Sequence, residues 1–140
     1  MSPRHKPVRF VLNNDLCELD RLAQMLDMIK KKWRLTDKLI IQLNLVLDEL
    51  FTNIVSYGYA EGAKGQITFI MDFEDDELRV TIHDSGKPFD PTIPESPALD
   101  IPLGDKHVGG LGIFLARQYS DTFDYRREGN RNIVTLTKKF

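Results

Sequence analysis

The sequence predicts an α+β domain, a two-layer α/β sandwich with helices on one face of a mixed, mostly antiparallel sheet. Three observations predict it. Two apolar stripes at helical spacing lie in the first half of the chain. Two pairs of alternating segments follow, each pair joined by a turn signal. The resulting order, β-α-α-β-β-loop-α-β-β, makes one layer of helices on one face of a mostly antiparallel sheet the natural packing.

Val8, Phe10 and Leu12 alternate and open the chain as a strand. Asn13, Asn14 and Asp15 then offer a helix cap. Leu16, Leu19, Leu22, Ala23, Leu26 and Ile29 recur at helical spacing, and that helix ends near Trp33. Thr36 caps a second, longer helix, with Asp37 in its first turn, where a carboxylate suits the dipole. Its stripe runs Leu39, Leu43, Val46, Leu47, Leu50 and Ile54, and Gly62 and Gly65 are expected to stop it. Ile67, Phe69 and Met71, then Leu78, Val80 and Ile82, form a hairpin across the acidic turn Glu74-Asp75-Asp76-Glu77. Residues 85 to 110 read as a long loop with prolines at 88, 91, 94, 97 and 102. A structureless stretch of that length inside a compact domain is usually functional. A short helix, Leu111 to Gln118, starts at a glycine cluster. Strands around 123–127 and 132–138 close the chain across the turn signal Gly129-Asn130.

The 140 residues suit one domain, 1–140, and the 41% hydrophobic and 29% charged content is ordinary for a globular chain. A formal net charge of -2 argues against bulk attraction to nucleic acid or an anionic membrane. The single cysteine, Cys17, cannot form an internal disulfide and is expected as a packing residue. Met1 to Phe10 lacks the apolar region of a signal peptide, and no unbroken apolar run approaches the ~20 residues of a membrane span. The cytoplasm is therefore the expected compartment.

Three features carry chemistry. Glu49 and Asn53 lie four residues apart on the second helix and stack on one side. At about 100° per residue, both fall at the rim of the apolar stripe, whereas Asp48 is expected to face water. A carboxylate and an amide at such a rim must be paired, to each other, backbone or water, or must line a polar cavity. Asp84 continues the apolar face of Leu78, Val80 and Ile82. It reads either as an Asx-turn closing the strand or as a buried acceptor for an amine, such as that of adenine. Gly86 permits close backbone approach to a ligand. Gly109-Gly110-Leu111-Gly112-Ile113 opens a helix, where free N–H groups attract phosphate; no Lys-Ser/Thr follows, so it is not a Walker loop. Alone, it is equally a loop-to-helix hinge.

In that order and spacing the three resemble the GHKL ATPase superfamily, which has the Bergerat ATP-binding fold. Glu49 to Asn53 looks like its N box, Asp84 to Pro91 like its first glycine box, and Gly109 to Ile113 like its second. The Lys87-Pro88-Phe89-Asp90-Pro91 extension resembles stand-alone anti-sigma-factor serine/threonine-protein kinases of the RsbW/SpoIIAB type. The resemblance implies ATP and Mg²⁺ as cofactors. Asn53 would ligate Mg²⁺ through its amide oxygen, and Glu49 would be the general base. Asp84 would accept from the adenine amine, with Gly86 beside the base. Gly109, Gly110, Leu111 and Gly112 would present their backbone to the phosphates, and residues 87–108 would form an ATP lid. Lys106 or His107 would help neutralise phosphate charge, although a solvated basic pair explains them equally. Thr135 would approach the adenine. The implied partners are a STAS-domain antagonist, phosphorylated on serine, a sigma factor, and a second copy in a homodimer. The alternative is a non-catalytic ATP/ADP-gated binding module in a partner-switching system.

Overall fold

The computed structural model describes residues 6–92 and 110–139. Five strands form one sheet: β1 (Val8–Asn13), β2 (Gln66–Glu74), β3 (Glu77–Asp84), β4 (Thr122–Glu128) and β5 (Arg131–Lys139), in spatial order β1-β2-β3-β5-β4. Every neighbouring pair is antiparallel. Three helices cover one face: α1 (Leu19–Trp33), α2 (Asp37–Asn53) and α3 (Gly110–Tyr119). The two-layer α+β architecture expected from the sequence is the one observed.

Local chemistry explains the boundaries. Asp15 accepts from the Cys17 N–H and starts a single 3₁₀ turn, Leu16–Glu18, that leads into α1. Cys17 is exposed there, so it is not the packing residue expected. The Thr36 hydroxyl accepts from the Leu39 N–H at 3.2 Å and caps α2. The acidic turn places Asp75 and Asp76 both at positive φ, the two-residue geometry whose twist matches antiparallel strands.

Register builds the core. Phe10 faces Phe69, Phe69 faces Ile82, and Ile82 faces Val134, so one row of inward apolar side chains crosses four strands. The Phe10 and Phe69 rings stack at 5.1 Å, and Phe51 of α2 lies 6.3 Å from Phe69. Leu43, Leu47 and Leu50 of α2 join the same cluster. The helical run Asp37–Gly58 is long and apolar enough by length and composition to cross a membrane, which a count of unbroken apolar runs overlooks. Here Leu39, Leu43, Val46, Leu47, Leu50 and Phe51 face the core, while Ile41 and Leu45 are exposed.

Two expectations about α2 need correction. Gly62 and Gly65 do not stop it. The helix widens into one π-helical turn, Ile54–Gly58, and ends at Tyr59, whose backbone is extended. Asp48 does not face water: it is half-buried, and its Oδ1 is buried with no hydrogen bond. The angular estimate considered only the face toward the sheet. α1 and α3 also pack on α2 and widen its covered arc. Burial pushes the Asp48 carboxyl up to about 6.

Candidate nucleotide site

The inward face of the sheet turns polar at one end. There Asp84, the last residue of β3, pairs in register with Asn132 of β5, and both are buried. Asp84 Oδ1 accepts from the Gly86 N–H and from Asn132 Nδ2, each at 2.9 Å. The expected Asx-turn is therefore present, and it consumes one carboxylate oxygen, leaving Oδ2 as the remaining acceptor. Burial pushes the Asp84 carboxyl above its ordinary range, against the opposing pull of these two hydrogen bonds and of Arg127.

Asn132 is the hub of a network that the sequence reading missed. Its Nδ2 also donates to the Lys87 carbonyl at 2.8 Å. Its Oδ1 accepts from the Tyr125 hydroxyl at 2.6 Å and from Arg127 Nη1 at 3.0 Å. Arg127 Nη1 further donates to the Gly86 carbonyl at 2.8 Å. The loop after β3 is thus tied down from β4 and β5. The signal was available: Asn132 continues the inward apolar series of Val134 and Leu136, as Asp84 continues that of Ile82.

The π turn holds the same loop from the helical side. The Lys87 N–H donates to the Gly58 carbonyl at 2.8 Å, and the Ser85 N–H donates to the Tyr59 hydroxyl at 3.1 Å. A Cβ on Gly86 would sit 2.5 Å from the Gly58 oxygen, so only glycine allows this approach.

Between these elements lies a narrow slot with a cavity volume of about 10 Å³, lined by Asn53, Gly58, Asp84, Phe89, Pro91 and Asn132 among others. Phe89 stacks on Tyr57 at 6.0 Å at its mouth. Asn53 is 2% exposed, yet among the described residues neither its Oδ1 nor its Nδ2 has a hydrogen-bond partner. Leaving such groups unpaired costs about 1–3 kcal/mol each. Glu49 lies one turn earlier, half-buried at the rim.

The glycine-led helix approaches from the third side. Tyr119, at the end of α3, donates to the Leu39 carbonyl near the start of α2, and Leu115 lies beside Leu45 and Val46. The two helices therefore run antiparallel, and the start of α3 points toward the Glu49–Asn53 end of α2. Gly110, Leu111 and Gly112 form its first turn. Lys106, His107, Gly109 and most of the expected lid lie outside the described residues. Thr135 takes the opposite sheet face, because Val134 and Leu136 point inward; Asn132, not Thr135, supplies the polar β5 side chain of the slot.

The Asn53 amide fits a divalent ion bound with a nucleotide. Mg²⁺ takes oxygen ligands, often one or two from protein, with phosphate and water completing the shell. Among the described residues, no group of three His, Cys, Asp or Glu side chains could hold a metal by itself. An ion at Asn53 would therefore depend on phosphate oxygens.

A family model described as the histidine kinase-like ATPase domain matches residues 12–138. Serine/threonine-protein kinase BtrW of Bordetella bronchiseptica is 33% identical over 109 residues, which span 78% of this chain and 75% of BtrW. The structure of the RsbU and RsbW domains of Rv1364c from Mycobacterium tuberculosis superposes with a TM-score of 0.69 at 15% identity. That match covers 96% of this chain but 32% of the longer one. The histidine kinase domain of the blue-light activated histidine kinase from Erythrobacter litoralis gives 0.54 at 17% identity, covering 89% of this chain and 60% of its own. At those identities the structural likeness is one of fold.

Proposed function

This chain belongs to the histidine kinase-like ATPase domain family, and from that premise we propose that it is an ATP-dependent serine/threonine-protein kinase acting as an anti-sigma factor. Its substrate is a serine on a STAS-domain antagonist, and in the other arm of the switch it sequesters a sigma factor. It works in the cytoplasm as a homodimer, without touching nucleic acid. The observation that carries the nucleotide reading is the orphaned Asn53 amide, buried beside Asp84 in one slot. The kinase name of the BtrW relative supports the choice of reaction.

In this reading the adenine amine donates to Asp84, with Gly86 leaving room for the base. The first turn of α3, with Gly110, Leu111 and Gly112, presents N–H groups to the phosphates; Gly109 of the same glycine cluster and Lys106 are assigned to the phosphates from the sequence motif. Asn53 would hold Mg²⁺ through its amide oxygen, and the ion would supply charge neutralisation on the phosphates. Glu49, one turn away, accepts the proton of the serine hydroxyl as it attacks the γ-phosphorus. The γ-phosphoryl passes to serine oxygen and ADP leaves.

Incubation with a STAS-type antagonist and γ-labelled ATP tests this reading. Label should appear on an antagonist serine with the wild type and fall by at least ~100-fold with Glu49→Ala, the usual contribution of a general base. If no label is transferred and Glu49→Ala still binds the partner, the chain is an ATP/ADP-gated binding module and the kinase reading is wrong.

A further inference from the structure

Arg127 ends an inward series on β4. Phe123 and Tyr125 are half-buried, Asp124 and Arg126 are exposed, and Arg127 follows at period two, half-buried again. Register sets Arg127 opposite Asn132, and Asn132 opposite Asp84. A cation, an amide and an acid therefore stand side by side across β4, β5 and β3. Resting on the nucleotide reading of the slot, we propose that Arg127 is a positioning residue for the base: it acts through Asn132 to fix the Asp84 carboxylate and the loop after β3.

Hydrogen-bond chemistry gives this row one direction. A guanidinium only donates, an ionised carboxylate only accepts, and an amide does one on each side. Asn132 Oδ1 accepts from Arg127 Nη1 at 3.0 Å and from the Tyr125 hydroxyl at 2.6 Å. Its Nδ2 is thereby turned to Asp84 Oδ1, at 2.9 Å, and to the Lys87 carbonyl. A reversed amide would set its oxygen against the Asp84 carboxylate and its NH₂ against the guanidinium. Arg127 forbids that reversal. Tyr125 does not, because a hydroxyl can accept as well as donate.

The same Arg127 nitrogen donates to the Gly86 carbonyl at 2.8 Å. The Gly86 N–H is held by Asp84, and the Lys87 N–H by the Gly58 carbonyl. The loop main chain is thus ordered before a ligand arrives, which spares binding that cost. Arg127 also opposes the upward push of burial on the Asp84 carboxyl and so favours the ionised acceptor.

Calorimetric titration of Mg-ATP, with urea unfolding of each protein, tests the assignment. Arg127→Met should weaken binding about tenfold or more, the usual worth of a hydrogen bond from a charged group. Arg127→Lys keeps a charged donor and should recover part of that loss, whereas Tyr125→Phe should lose less than Arg127→Met. The decisive protein combines Arg127→Met with Asp84→Asn. Action through the row makes its loss clearly smaller than the product of the two single losses, because each change disables the same chain of contacts. Losses that multiply would make Arg127 a general stabiliser and overturn the assignment. Wild-type affinity in Arg127→Met overturns it as well, while leaving the nucleotide reading intact. Wild type that binds no Mg-ATP removes the nucleotide reading and this role together. If Arg127→Met does not fold, Arg127→Lys carries the same cycle with Asp84→Asn.

Discussion

Asn53 places two unpaired polar atoms in the core of the free protein, and that cost belongs to the site, not to the fold. Asn53→Ala should therefore leave the nucleotide-free protein at least as stable as wild type, as measured by urea unfolding. A structural asparagine with hidden partners would lose stability. Asp48 gives a pH signature. Its carboxyl is raised from 3.8 to about 6, so the folded state holds the proton more tightly than the unfolded state. Stability therefore falls as pH rises from about 4 to about 6 and stays lowered above that. Asp48→Asn should flatten that decline and raise the urea midpoint at pH 7, with no gain at pH 3. Asp84, raised in the same direction, should leave a residual slope. An unchanged profile in Asp48→Asn would show that its carboxyl is not the group responsible. At this scale the sequence was only partly informative. Asp84 was legible because an acid extended an apolar alternation, and Asn132 offered the same pattern unnoticed. Asp48 was misplaced because α2 packs against α1 and α3 as well as the sheet, which a single periodicity does not show.

Elements meet at the loop after β3. The π turn, the end of β4 and the start of β5 clamp Gly86 and Lys87 through three carbonyl acceptors: Gly58, Gly86 and Lys87. Gly86→Ala would drive a Cβ to 2.5 Å from a backbone oxygen that cannot rotate away. The loop or the turn must shift, which should cost about 1–3 kcal/mol in urea unfolding and weaken nucleotide binding together. Loss of binding at unchanged stability would contradict the clamp. The strands, hairpins and helix caps were readable because propensity, period and turn chemistry agree there. The π turn was not, since Ile54 to Gly58 keeps a helical pattern and the widening answers to the docked loop.

For the whole molecule, the two-layer arrangement places the end of α2 and the end of β3 around one slot and directs the start of α3 toward the same end of α2. The sequence signalled each part, but their convergence depends on the antiparallel docking of α3 on α2 and on the strand order β3-β5, neither of which short motifs encode. Calorimetric titration of Mg-ATP into wild type, Asn53→Ala and Asp84→Asn tests the convergence most directly. Wild type should bind with measurable heat. Asp84→Asn should lose about 10-fold or more, the usual worth of a hydrogen bond to a charged acceptor. Asn53→Ala should lose its advantage for Mg-ATP over metal-free ATP. Equal heats from all three folded proteins would place the nucleotide elsewhere, or nowhere on this chain.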